Sequence, residues 1–238
     1  MHDDKIPKEK NRLYGRKQTR PLSNIKQAVT DSMLARLQPD IEATKARKRL
    51  GIEELFGHAV TTPVWYEIGF GSGEHLIGLM KQNPDIHMIG AEPFINGMAN
   101  FLHALDREKL PEDKIRVWMN DAILLAERLP GASLERIYVL NTDTWPKKRH
   151  HKRRIINQES LTLFARLLKP GGLLIMSTDV SDLADWMIAQ ASQHPAFEWM
   201  AKKADDWRIM PDDWIPTRYE GKGKAKGREQ VYLYCQKT

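Results

Sequence analysis

The sequence predicts an α/β protein built on a seven-stranded, mostly parallel sheet with helices on both faces. From Val64 onward, short apolar runs alternate with helix-length amphipathic segments, the pattern of βαβ units around a parallel sheet. Between the first such run and the first such helix stand three glycines at alternate positions, Gly69, Gly71 and Gly73. Glycine there lets the backbone turn sharply and lets a ligand approach where a Cβ would collide. The chain also has the means to build one large core, with 238 residues, 41% hydrophobic, seven Trp, six Tyr and six Phe. At this length folding removes roughly 70% of the unfolded chain's surface from water, so disorder throughout is excluded.

Residues 1–22 read as a basic, mobile arm: the first twenty carry seven Lys/Arg against three acids and almost no apolar side chains, and the arm ends near Pro21. Residues 23–60 read as a helical segment packed on the main domain. Met33, Leu34, Leu37, Ile41, Leu50, Ile52 and Leu55 suit one or two amphipathic helices from about Met33 to Phe56, interrupted around Pro39 and Gly51. The main domain spans 61–238, with strands expected near 64–69, 86–91, 115–119, 135–141, 172–177, 197–203 and 230–236. Helices are expected near 74–83, 95–107, 122–129 and 157–168, with one more over SDLADWMIAQASQ after the fifth strand. The stretch GKGKAKGR at 221–228 reads as a flexible basic loop.

The single cysteine, Cys235, excludes an intrachain disulfide, and no Cys/His cluster has zinc spacing, so no metal is expected. A reducing cytoplasm fits this composition. The amino terminus lacks an apolar stretch of secretory length, and the longest apolar runs, such as LLIM at 173–176, fall far short of the ~20 residues that span a bilayer. A soluble protein with no membrane partner is expected. The formal net charge of +6 is modest but concentrated: six of the eight residues from Lys147 to Arg154 are Lys or Arg, and the other two are His.

The chemistry-bearing residues follow the strand ends. Glu92, nineteen residues after Gly73, closes the second strand, where a carboxylate can accept hydrogen bonds from both hydroxyls of a ribose. A dinucleotide site reads G-x-G-x-x-G and offers amides to a pyrophosphate, whereas this loop reads G-x-G-x-G, with Glu67 before it and Glu74 inside it. Two carboxylates repel a pyrophosphate but suit S-adenosylmethionine, which has no phosphate and carries a positive sulfonium and ammonium. The third strand ends in Asn120 and Asp121, placed either to bond an adenine amino group or simply to cap the next helix. The basic run follows the fourth strand, beside the crevice where open α/β sheets bind ligands, and a polyanion reaching that crevice would need it. His150 and His151 sit among six cations that would repel a metal. Trp145 reads as a packing residue or a base-stacking platform. Farther on, Asp179 ends the fifth strand. The segment WRIMPDDWIPTRYEGKGKAKGREQ then interleaves aromatic and basic residues, which suits nucleic acid or a solvent-exposed loop anchored by Trp207 and Trp214.

In order and spacing, EIGFGSGEH, GAEPFINGMA, DTWPKKRHHKRR, LKPGGLLIMSTD and TRYEGK resemble the bacterial tRNA (guanine-N7)-methyltransferase family, over roughly residues 60–238. The combination is specific, because a general methyltransferase shares the first loop but not WPKKRHHKRR or TRYE. The resemblance implies a Rossmann-like, seven-stranded methyltransferase sheet, S-adenosylmethionine as donor, tRNA as partner and 7-methylguanosine in the variable loop as product. No obligate protein partner is apparent. It implies cofactor contacts from Glu67, the glycine turn Gly69, Gly71 and Gly73, Glu92, Asn120, Asp121 and Asp143, with Asp143 as the catalytic carboxylate. It implies further that Lys147, Asp179, Thr217, Arg218 and Glu220 face the substrate.

One departure stands out. The family's motif has proline on each side of the catalytic aspartate, preceded by an aromatic, whereas this chain reads Asn141-Thr142-Asp143-Thr144-Trp145-Pro146. Proline fixes φ and lowers the entropy lost on ordering a loop, so the threonines are expected to leave Asp143 less rigidly placed. The chemistry tolerates a simple site. Guanine N7 carries a lone pair and no proton, so in-line attack on a sulfonium methyl needs positioning and charge stabilisation rather than a general base. The rival readings are a nicotinamide-dependent oxidoreductase, a non-catalytic RNA-binding protein on a methyltransferase fold, and a methyltransferase acting on another RNA or on a protein.

Overall fold

The computed structural model describes residues 13–14, 17–41 and 49–238. Most of the expected basic arm (1–12, 15 and 16) and residues 42–48 of the helical segment lie outside the described residues. The chain enters through α1 (Asn24–Leu37) and α2 (Ile52–Phe56). The alternating part then runs β1 (Val64–Ile68), α3 (Glu74–Gln82), β2 (His87–Ala91), α4 (Ile95–Arg107), β3 (Ile115–Trp118), α5 (Ala122–Arg128) and β4 (Leu134–Leu140). It continues through α6 (Gln158–Leu167), β5 (Leu168–Thr178), α7 (Ser181–Ser192), β6 (Phe197–Trp199), α8 (Asp205–Arg208), α9 (Arg218–Lys224) and β7 (Val231–Lys237).

The seven strands form one sheet in the order β3-β2-β1-β4-β5-β7-β6. β1 pairs in parallel with β2 and β4, β2 with β3, and β4 with β5, while β7 runs antiparallel to β5 and β6. Strand order reverses at the β1/β4 boundary, and the carboxyl ends of these strands are where such sheets open a crevice. Burial divides by strand parity, because successive side chains point to opposite faces. Val64, Tyr66 and Ile68 of β1, with Ile137 and Val139 of β4, join one core that also takes Leu55 of α2, Ile123 of α5, Phe164 of α6 and Leu183 of α7. Trp65, Tyr138 and Leu140 join the other, with Met33 of α1, Leu76 of α3 and Phe101 of α4. No helix among the described residues is long and apolar enough to cross a membrane.

Four boundaries differ from the sequence reading. α1 starts at Asn24 rather than near Met33, because the Ser23 hydroxyl accepts from the Lys26 amide and caps it nine residues earlier. β5 starts at Leu168, and the run through Pro170 and Gly171 stays in the strand with a register shift against β4 between Leu134 and Arg136. β6 ends at Trp199 instead of 203. The segment expected to be a loop before the last strand contains α8 and α9. The glycine-rich basic stretch therefore begins inside a helix, closed at its start by a reciprocal cap between Thr217 and Glu220.

Candidate functional site

A cavity of about 850 Å³ opens at the carboxyl ends of the central strands, walled by Gly69, Gly71, Glu92, Asp121, Asp143 and Tyr219 among others. That volume suits a ligand of nucleoside-conjugate size. Gly69 and Gly71 of the glycine turn line the cavity, whereas Gly73, also expected at the cofactor, lies off its wall against the core. Gly69, Gly71 and Gly73 all have positive φ, at 73°, 59° and 79°, and a Cβ on Gly73 would lie closer than 3.0 Å to the Phe101 ring in the core. The turn is locked from the next strand by Glu92, whose Oε2 accepts from the Gly71 amide at 2.8 Å and whose Oε1 accepts from the Phe94 amide at 2.9 Å. Burial nevertheless pushes the Glu92 carboxyl up to about 7; the two amides oppose the shift, and the charges of Asp143 and Glu67 add to it.

Of the two roles the sequence left open, Asp121 fills the cap, and its other oxygen is left over. Its Oδ1 caps α5 by accepting from the Ile123 amide at 2.9 Å. Its Oδ2 is buried at the cavity wall with no hydrogen-bond partner among the described residues. Asn120 is exposed, off the cavity wall, and folds back to accept from the Asp121 amide. Glu67 is also off the wall: its Oε2 lies 2.9 Å from His75 Nδ1, with both side chains buried. The His75 ring packs in turn on Tyr138 and Trp214.

Asp143 stands exposed at the rim, in a loop where Asn141 and Trp145 hold positive φ, 48° and 44°. The basic run is not uniform. Lys148–Arg153 winds as a 3-10 helix, with Lys147, Lys148, Arg149 and Lys152 exposed. Arg153 turns inward, its guanidinium 4.3 Å from the Tyr14 ring centre and 4.9 Å from that of Trp145. Arg154 is buried; it donates from Nε to the Thr144 carbonyl, pairs with Asp182 and lies over Trp186. Trp145 packs its ring edge-on to Tyr14 and His150.

Of the residues expected on the substrate side, Asp179, Thr217, Arg218 and Glu220 gather around α9 and Lys147 precedes the 3-10 helix, and all five lie off the cavity wall. Thr217 and Glu220 cap the helix, and buried Glu220 also accepts from Trp214 Nε1. Burial raises the Glu220 carboxyl above its ordinary value, against the pull of its hydrogen bonds. Asp179 accepts from Arg228 and abuts Gly223, whose close approach leaves no space for a Cβ. Arg218 is exposed. Trp214 is buried, and Trp207 packs edge-on to Trp199, so these two tryptophans anchor the segment, which is helical in part rather than the loop of that reading. Sequence reasoning assigned no role to Gly97, Tyr14, Asn141 and Tyr219, and it placed Arg154 with the phosphate-facing cations, whereas Arg154 is buried against Asp182. Gly97 carried a readable sign, a glycine inside a helical pattern. A Cβ there would lie closer than 3.0 Å to the Gly71 carbonyl oxygen. Nothing local distinguishes Arg154 from the other five cations of its run.

A family model described as a putative methyltransferase matches residues 61–233. Three proteins described as tRNA (guanine-N(7)-)-methyltransferase align over nearly the whole chain. That of Rhodospirillum rubrum is 39% identical over 227 residues, 95% of this chain and 88% of that protein. That of Roseobacter denitrificans is 41% identical over 224 residues, 93% and 94% of the two chains. That of Agrobacterium fabrum is 36% identical over 233 residues, 98% of each. Among solved structures, the 16S rRNA methyltransferase KamB superposes with a TM-score of 0.55 at 14% identity, covering 84% of this chain and 94% of that one. At that identity the likeness concerns the methyltransferase fold alone. With a family model over residues 61–233 and relatives this similar end to end, the chain belongs to the tRNA (guanine-N(7)-)-methyltransferase family.

Proposed function

We propose that this chain methylates N7 of a guanine in the variable loop of tRNA, in the cytoplasm, with S-adenosylmethionine as donor. The observation that carries the reading is the free, buried Oδ2 of Asp121 on the wall of a cavity that also holds Glu92 and Asp143. An acceptor with no partner calls for a donor, and the adenine amino group is one. Glu92 accepts from the ribose hydroxyls, and the four carboxylates that line the cavity, Glu92, Asp121, Asp143 and Glu159, set against Lys152, Arg153 and Arg154 in the same lining, suit the sulfonium and ammonium of a ligand without phosphate. When bound, S-adenosylmethionine supplies an electrophilic methyl group on a sulfonium. Asp143, at the rim, accepts from N1–H and the 2-amino group of guanine, turns N7 toward the methyl and partly offsets the positive charge that methylation places on the ring. No proton is moved. Lys147 and the exposed cations after it bind phosphates, and Asp179, Thr217, Arg218 and Glu220 shape the tRNA side through α9. Glu67 acts from behind the glycine turn through His75, and Asn120 through its bond to the Asp121 amide.

Incubating the protein with labelled S-adenosylmethionine and unmodified tRNA, followed by nucleoside analysis, tests the whole reading. Label in 7-methylguanosine is the expected result. tRNA binding with no transfer would leave a non-catalytic RNA-binding protein, and label in another nucleoside or in protein would redirect the chemistry.

The raised Glu92 carboxyl gives cofactor binding a pH dependence. Ribose donors and a nearby sulfonium favour ionised Glu92, so binding lowers its pKa from about 7 and releases a proton wherever free Glu92 is partly protonated. Affinity is expected to rise as pH increases toward about 7 and then level off, falling by up to about tenfold per pH unit on the acid side. Glu92→Gln should flatten this profile and weaken binding about tenfold or more, since a charge-assisted hydrogen bond contributes roughly 1.5 to 3 kcal/mol. Calorimetry in buffers of different ionisation enthalpy reads both; equal affinity at pH 6 and pH 8 would remove Glu92 from the ribose site.

The exposed part of the basic run is expected to set the salt dependence of tRNA binding. Neutralising Lys148, Arg149 and Lys152 should lower the log-log salt slope by roughly 0.7 to 0.9 for each phosphate left without its cation, while cofactor affinity stays unchanged. A slope equal to wild type would make these three an ordinary solvated face.

A further inference from the structure

We infer that Asn141 is a positioning residue, which fixes the backbone of the Asp143 loop through a side-chain clamp between Gln230 and Thr217. The inference rests on Asp143 being the carboxylate that orients guanine. Asn141 follows β4 directly, and its amide donates to the Ser177 carbonyl of β5 at 2.8 Å, the last rung before the loop leaves the sheet. Its backbone is left-handed, with φ 48°. Asparagine adopts that region more readily than most residues, but it is held there only where surroundings over-determine it.

The side chain supplies the restraint. Its Oδ1 accepts from Gln230 Nε2 at 2.9 Å, and its Nδ2 donates to Thr217 Oγ1 at 3.2 Å. Gln230 stands at the foot of β7, and Thr217 is the cap of α9, whose hydroxyl also accepts from the Glu220 amide. Asn141 thus ties the end of β4 to the foot of β7 and to the cap of α9. At the far end, the Thr144 carbonyl is held by Arg154, itself buried and paired with Asp182. Between these two anchors lie Thr142 and Asp143, and neither amide of the two threonines donates a hydrogen bond among the described residues. The chain therefore restrains the loop by hydrogen bonds at its ends rather than by rings within it. Because Thr217 belongs to the clamp, Asp143 is tied to the segment that bears Arg218 and Tyr219.

The experiment measures single-turnover methyl transfer to tRNA with enzyme in excess, alongside tRNA and S-adenosylmethionine affinities, for Asn141→Gly, Gln230→Ala, Asp143→Ala and the pair Asn141→Gly with Asp143→Ala. Glycine keeps the left-handed backbone available and removes only the clamp. Both clamp variants are expected to lose about tenfold to a hundredfold in rate, as a displaced catalytic group does, with both affinities unchanged. In the Asp143→Ala background, Asn141→Gly should cost nothing further, because there is no carboxylate left to place. Wild-type rates in both clamp variants with a slow Asp143→Ala would overturn the clamp and leave the role of Asp143 standing. Rates that fall only in step with tRNA affinity, or that fall equally without Asp143, would also overturn it, since the clamp would then merely support α9. A wild-type rate for Asp143→Ala would overturn the parent reading and the clamp with it. Should Asn141→Gly fail to fold, Gln230→Ala, which leaves the turn's own residue intact, decides alone.

Discussion

Asp143→Ala is expected to slow single-turnover methyl transfer by at least about a hundredfold, the cost of removing one preorganised charge-stabilising group from a transition state. The effect should fall on the chemical step. The exposed cations proposed to meet phosphates are untouched, so tRNA affinity should hold. Cofactor affinity should fall less than the rate, because the cavity loses one carboxylate while the loss of the Asp143 charge leaves Glu92 more readily ionised. Asp143→Asn should lie between the two, as an amide keeps one acceptor oxygen but turns a donor toward donors. Excess enzyme is required, since slow product release would mask the change under multiple turnover. If wild type and Asp143→Ala transfer at the same rate, positioning by this carboxylate is not the source of catalysis.

Seven strands and the helices between them were legible because the central strands are short continuous apolar runs, with β1 and β2 buried at every residue, set between helices whose apolar positions recur near 3.6. The misread parts are those where periodicity is weak and a cap decides. Only Thr30, Met33 and Leu37 of α1 are buried, so its first turns look like linker, and Ser23 sets the start. In α9 two glycines among lysines read as a breaker, although the spacing Thr217-x-x-Glu220 is itself the capping signature.

At the site, the strand-end rule located Glu92 and Asp121. It did not foresee that Glu67 would be turned to His75, since that partner lies beyond the glycine loop and its direction depends on how α3 packs. The missing prolines were visible, but not what stands in for them. A proline at 142 would press its neighbour Asn141 toward extended backbone, against the left-handed conformation that Asn141 holds. The two ways of stiffening the loop are thus mutually exclusive at that position, which is why counting prolines understates the order of this one.

Gly97→Ala is expected to weaken S-adenosylmethionine binding about tenfold to a hundredfold in a protein that still folds. Gly97 is the third residue of α4, where alanine by itself would favour the helix by about 1 kcal/mol. Its Cβ, however, would lie closer than 3.0 Å to the Gly71 carbonyl oxygen and 3.3 Å from Glu92 Cγ. A backbone oxygen cannot rotate aside, so either α4 or the glycine turn must shift. The turn is the softer of the two, because α4 buries Met98, Phe101, Leu102 and Leu105 in the core. Moving Gly71 breaks its amide's bond to Glu92 and displaces the cavity lining. Breaking one such charge-assisted hydrogen bond, at roughly 1.5 to 3 kcal/mol, sets the expected range. Gly221→Ala in α9, where a Cβ meets nothing within 4 Å, is the control and should bind as wild type. Calorimetric titration with thermal melting for both variants separates a local fault from a global one. A folded Gly97→Ala protein that binds the cofactor as tightly as wild type would show that the turn can absorb the extra carbon, and that Gly71 and Glu92 do not have to stay bonded for the cavity to work.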